Sequence, residues 1–100
     1  MEKIIFDYTN GEISINNKII RLTVIEDDIV KILIKNKNKY IRKEIIIKQA
    51  GLYEDYNLSL SICRLRKKLN GMLEIESRYG YGYRIKLDSE DKQGEEVYEI

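Results

Sequence analysis

The chain predicts an α+β fold: a short N-terminal antiparallel sheet, three helices and a C-terminal β-hairpin, with one domain over residues 1–87 and an acidic tail over 88–100. Three observations carry that prediction. Short β-branched runs separated by turn residues fill the first 22 positions. Apolar residues then recur at helical spacing behind capping residues. Two alternating segments finally flank the Gly-rich stretch Arg78-Tyr79-Gly80-Tyr81-Gly82.

The strands come first. Lys3 to Tyr8 is β-branched and aromatic, and Thr9-Asn10-Gly11 is a turn signal. Glu12 to Ile15 alternates polar and apolar, Asn16-Asn17 marks a second turn, and Lys18 to Leu22 is another apolar-rich run, so that these segments read as two or three short antiparallel strands. A meander of this kind needs a cover for one face. Thr23-x-x-Glu26 is a capping box, and Glu26, Asp27 and Asp28 place acids in the first turn, where the helix dipole favours them. With Ile25, Ile29, Ile32 and Leu33 at helical spacing, a first helix is predicted over Val24 to Lys35. Tyr40-Ile41 is short and extended. A second helix from Arg42 or Lys43 to Ala50 competes with a strand, because Ile45-Ile46-Ile47 is β-branched. Gly51 to Tyr56 is a linking loop. Asn57 is an N-cap, Leu58, Ile62, Leu65 and Leu69 form one apolar stripe, and Asn70-Gly71 is the stop of a third helix. Leu73 to Ser77 and Tyr83 to Leu87 then alternate as a hairpin.

Composition narrows the function. One cysteine, Cys63, and no histidine exclude an internal disulfide and argue against a zinc site. The commonest general base is missing, and no paired carboxylates, phosphate loop or metal cluster is visible, so neither an enzyme nor a cofactor is expected. No apolar run reaches the length of a membrane span, and the N-terminus lacks a signal-like apolar region, so a cytoplasmic protein with no membrane partner is expected. The net charge of +1 conceals an asymmetry: residues 1–28 carry net −3, residues 29–86 net +9 and residues 87–100 net −5. A basic middle between acidic ends suggests a polyanionic partner, against the plainer reading of scattered solvated lysines.

The basic residues concentrate on the third helix. At 100° per residue, its apolar stripe faces the core while Leu60, Cys63, Arg64 and Lys67 lie opposite. Arg66 flanks one side with Ser59, and Lys68 the other with Ser61. The major groove of B-DNA admits such a helix, and arginine can pair with guanine O6 and N7. Arg64 is therefore the first candidate for base reading, Lys67 could read or hold, and Arg66 and Lys68 are placed for phosphates. Leu60 could touch a thymine methyl; otherwise it is an isolated exposed leucine. Cys63 is small and need not be reactive. The hairpin beside this helix, with Arg78 and Tyr79 at a glycine-flexed tip, has the build of a wing. Tyr79 and Tyr81 read equally as DNA contacts and as sheet tyrosines, and Tyr83 reads as sheet packing.

In that order and at those distances, Leu22-Thr23-x-x-Glu26, Ile62-Cys63-Arg64-Leu65-Arg66-Lys67-Lys68-Leu69 and Gly80-Tyr81-Gly82-Tyr83-Arg84-Ile85 carry a resemblance. Over Ile4 to Leu87 the chain resembles the OmpR/PhoB-type winged helix-turn-helix effector domain of bacterial response regulators. The resemblance implies a sequence-specific, double-stranded DNA-binding transcriptional regulator. It implies a third helix in the major groove and a wing on the neighbouring minor groove or backbone. It puts Ser59, Leu60 and Arg64 against bases, Ser61, Cys63, Arg66 and Lys67 near the backbone or groove edge, and Ser77, Arg78 and Tyr79 at the wing tip. The loop Leu52 to Tyr56 matches the segment through which some relatives touch RNA polymerase. A homodimer or tandem binder would need paired half-sites.

The departures from the pattern are specific. Ser59 stands where relatives often carry an acid, Cys63 where a basic residue is frequent, and Tyr79 where an arginine is common. These hundred residues offer no acidic phosphoacceptor pocket. Two readings follow: an effector domain excised from a longer regulator, or a stand-alone regulator controlled by abundance, a partner or its own tail. The tail itself either folds back on the basic face to compete with DNA or is a disordered solubilising end. The competing function is a winged-helix protein–protein interaction module or adaptor.

Overall fold

The first strands are held by their turns. Asn16 and Asn17 adopt φ of 50° and 71°, the left-handed pair that a two-residue hairpin turn requires and that asparagine tolerates. This fixes the register of β2 (Glu12–Ile15) against β3 (Lys18–Arg21), with Ile15 opposite Lys18 and Ile13 opposite Ile20. β1 (Ile4–Asp7) pairs antiparallel with β2, and the Asp7 carboxylate accepts from the Asn10 backbone and side-chain amides at the intervening turn. Alternation then buries Ile4, Phe6, Ile13, Ile15 and Ile20 on one face. The structure is a computed structural model that describes residues 4–7, 10–86 and, for the backbone alone, 96–98. Lys3, Tyr8, Thr9 and Leu87, which the sequence assigns to strands or a turn, lie outside the described residues.

The helices cover that face. α1 (Val24–Lys35) begins at Thr23, whose hydroxyl accepts from the Glu26 amide at 3.2 Å while the Glu26 carboxylate accepts from the Thr23 amide at 2.9 Å. Ile29, Val30, Leu33 and Ile34 are buried on its inner side. α2 (Lys43–Gln49) is a helix despite its isoleucine run: Ile46 and Ile47 are buried next to each other while Ile45 is 43% exposed, a pattern of helical rather than alternating period. Tertiary burial overrides the strand propensity. α3 (Leu58–Leu69) starts at Asn57, whose side chain accepts from the Leu60 amide, and stops at Asn70 in the left-handed conformation. Leu58, Ile62, Leu65 and Leu69 join the single core.

A second sheet closes the molecule in the order β4–β6–β5: β4 (Ile41–Arg42), β5 (Glu74–Arg78) and β6 (Gly82–Lys86). β5 and β6 form the antiparallel hairpin; β5 starts and ends one residue later than expected, and β6 starts one residue earlier. The last strand, β7 (Glu96–Tyr98), runs parallel to β1 and completes the first sheet in the order β3–β2–β1–β7. This part of the acidic tail therefore lies at the β1 edge rather than on α3. The sequence holds no cue for that pairing beyond the apolar Val97 and Tyr98.

Candidate nucleic-acid interface

The candidate interface lies on α3 and the hairpin beside it. The inward stripe of α3 orients the helix, so the opposite side is exposed by geometry. Leu60 is 44% exposed, and Ser59, Cys63, Arg64 and Lys67 are exposed with it. Cys63 is a free thiol. Arg64 lies along a groove with Thr23, Val24, Ile25 and Tyr56. Neither the Arg64 nor the Lys67 head group has a protein partner among the described residues.

The flanking positions do other work. Ser61 corrects its expected place at the groove edge: it is 5% exposed, and its hydroxyl lies 2.6 Å from the Tyr56 hydroxyl. It ties the loop before α3 to the helix. Arg66, expected at phosphates, donates from Nε and Nη2 to the Ile75 carbonyl at 3.1 and 2.8 Å and from Nη2 to Ser77 Oγ at 2.7 Å. It clamps α3 onto β5. Lys68, also expected at phosphates, donates from Nζ to Glu26 Oε1 at 2.6 Å and to the Arg21 carbonyl at 3.3 Å.

The Lys68 contact has an electrostatic consequence. Glu26 is 4% exposed. Burial alone pushes its carboxyl up, but hydrogen bonds from Lys68 and the Thr23 backbone and the Lys68 charge outweigh it, so the net shift is below the ordinary carboxylate value. The capping carboxylate thus serves as the anchor that joins α1 to α3. The capping box is legible in the sequence; its partner 42 residues away is not.

The hairpin tip is a tight turn. The Tyr81 amide donates to the Arg78 carbonyl at 2.9 Å, and Gly80 takes φ of 72°. Tyr79 is fully exposed, and Ser77 and Arg78 are exposed beside it. Tyr81 is half-buried, with the Arg42 and Arg78 guanidiniums 4.7 and 4.8 Å from its ring centre. Tyr83 packs partly into the core, and its hydroxyl lies 3.3 Å from Ser59 Oγ. A cleft of about 420 Å³ runs between this hairpin, the first turn of α3 and Lys43. Arg42 and Lys43 were not among the residues singled out from the sequence. Arg42 ends the two-residue β4 and Lys43 opens α2, and only the pairing of β4 with β6 brings them to the hairpin.

Farther along β6, Arg84 donates to Glu76 at 2.6 Å and lies over the Tyr40 ring. The Arg84 hydrogen bond holds the Glu76 carboxyl below its ordinary range. The loop Leu52 to Tyr56 exposes Tyr53, Glu54 and Asp55. Among the described residues, no three potential metal ligands come together and no helix is long and apolar enough to cross a membrane.

Known proteins resemble this chain in sequence and in fold. No protein-family model matches the chain. The transcriptional regulatory protein PhoP of Escherichia coli K12 is 33% identical over 88 residues, which cover 81% of this chain and 40% of PhoP. The chain thus spans less than half the length of that relative. The DNA-binding domain of Bacillus subtilis CssR superposes with a TM-score of 0.64 at 29% identity, covering 74% of this chain and 89% of CssR's. The DNA-binding domain of the response regulator AdeR, solved with an intercistronic region, gives a TM-score of 0.74 at 20% identity, covering 88% and 98%. By its sequence similarity to PhoP and its superposition on these domains, the chain belongs to the OmpR/PhoB-type winged-helix effector domains.

Proposed function

We propose that this chain binds double-stranded DNA sequence-specifically as part of a bacterial transcriptional regulator, acting in the cytoplasm and without enzymatic chemistry of its own. The observation that carries the reading is the division of labour on α3. Arg66 and Lys68 are held by the protein, whereas Arg64 and Lys67 project from the exposed side next to a wing-like hairpin. In this reading α3 enters the major groove, Arg64 reads a base edge from mid-helix, and Ser59, Leu60 and Cys63 face the same groove. Lys67 holds phosphate, and Ser77, Arg78 and Tyr79 approach the adjacent groove or backbone. The exposed Tyr53 in the Leu52 to Tyr56 loop is the surface through which RNA polymerase would be contacted, and paired half-sites would bring two copies together on one duplex.

The test is selection of bound duplexes from a random pool, followed by titration of the selected site against a scrambled one. A preferred sequence with affinity that falls steeply with salt is expected. Arg64→Ala then costs roughly 1–3 kcal/mol on the selected site and relaxes one base position. Absence of duplex binding even at low salt would leave the protein–protein module as the reading.

A further inference from the structure

We infer that Arg42, Tyr81 and Arg78 form a phosphate clamp outside the recognition helix, with Arg42 and Arg78 as the contacts and Tyr81 as the residue that positions them. The inference rests on the DNA-binding reading and adds to it a residue on β4, an element that the reading does not use. Both guanidiniums lie over the one tyrosine ring, at 4.7 and 4.8 Å from its centre. An aromatic face attracts a cation, and two cations gathered at one ring repel each other. Among the described residues no carboxylate pairs with Arg42, Arg78 or the neighbouring Lys43.

Arg84 supplies the internal comparison. It too lies over a ring, that of Tyr40 at 4.5 Å, but Glu76 neutralises it at 2.6 Å. The Tyr81 pair has the same stacking and lacks the acid. The charge that would complete it must come from outside, and a backbone phosphate matches the planar fork of arginine.

The placement is enforced by the fold. At Gly82 a Cβ would lie 1.9 Å from the Ile41 carbonyl oxygen, so glycine alone allows β4 to close on β6. The Lys43 amide donates to the Tyr81 carbonyl at 3.0 Å. Arg42 is thereby fixed opposite Gly82 and reaches the ring one residue away. The cleft beside it, of about 420 Å³, is also lined by Ser59 in the first turn of α3. Arg64 lies five residues further along that helix, about 7.5 Å in rise. A duplex on Arg64 therefore has its backbone within reach of the clamp.

The experiment measures affinity for a short duplex of arbitrary sequence across a salt series, by fluorescence anisotropy. Arg42→Ala is expected to weaken binding roughly five- to tenfold near 0.1 M salt and to lower the salt slope by about 0.9, the loss of one phosphate contact. Arg21→Ala removes the same charge from the remote β3, where Arg21 is paired with Glu12, and should leave the slope unchanged. Tyr81→Leu keeps both cations yet should weaken binding about threefold, and Tyr81→Phe should restore it. Thermal unfolding of each variant identifies any that fail to fold. An Arg42→Ala protein that matches Arg21→Ala in affinity and slope overturns the clamp, while leaving a DNA-binding reading that Arg64→Ala can still support. A parent protein that binds no duplex overturns both.

Discussion

Glu26 shows how a single side chain can serve two layers of the structure. Its carboxylate caps α1 and receives Lys68 from α3. Because its pKa is lowered by folding, the charged form is favoured in the native state. That contribution is complete above the ordinary carboxylate value of 4.5 and is lost as pH falls through the lowered native value. Acid unfolding of the parent chain should therefore show a stability loss below pH 4.5 that Glu26→Gln, with no carboxylate to titrate, shows to a smaller degree. Lys68→Ala strands the buried carboxylate. Discounted because Lys68 itself is 36% exposed, the cost is about 1–2 kcal/mol, read by urea denaturation at neutral pH. Its affinity per folded molecule for DNA should stay close to the parent's, which separates it from Arg64→Ala. A Lys68→Ala protein of parental stability but weak DNA binding would return Lys68 to the phosphates.

At the scale of elements, legibility followed locality. The bounds of α1 and α3 coincide with the readings from Thr23 and Asn57, because caps and apolar stripes act within one helix. The stripe also oriented α3, so the exposure of Leu60, Cys63, Arg64 and Lys67 was readable at 100° per residue. What pairs with what across the chain was not. Ser61 and Lys68 sit on the flank of the stripe, and a wheel cannot tell a solvent flank from one that meets Tyr56 or Glu26. The hairpin fared likewise: its Gly-rich turn was plain, whereas the docking of β4 on Gly82 depends on a two-residue strand too short to carry a pattern. That docking makes a sharp prediction. Gly82→Ala forces a side chain onto the Ile41 carbonyl, and overpacking of this order costs about 3 kcal/mol. The midpoint of thermal unfolding should fall by more than roughly 10 °C. Gly71→Ala, where a Cβ meets nothing within 4 Å but φ is 80°, should cost less, about 1 kcal/mol.

For the whole molecule the question is what the uneven charge does. Residues 29–86 carry net +9 and residues 87–100 net −5, and residues 96–98 pair along β1. Two effects of the tail follow from physics and separate experimentally. A strand paired to β1 covers backbone donors and acceptors that would otherwise be a bare sheet edge, so its loss should cost stability and favour association through that edge. Six acids tethered to a basic domain lower the local potential for any polyanion, so their loss should raise duplex affinity, within a Debye length of about 10 Å at 0.1 M salt. Truncation after Leu87 removes both. Replacing the acids at 88, 90, 91 and 95 by their amides keeps the strand and removes most of the charge. We expect the truncated chain to bind a random duplex several-fold more tightly near 0.05 M salt, and the advantage to vanish as salt rises. The amide-substituted chain should share the tighter binding and keep the parent's unfolding midpoint. Should both variants bind as the parent does, the tail plays no electrostatic part against DNA, and its role is confined to the sheet edge it pairs with.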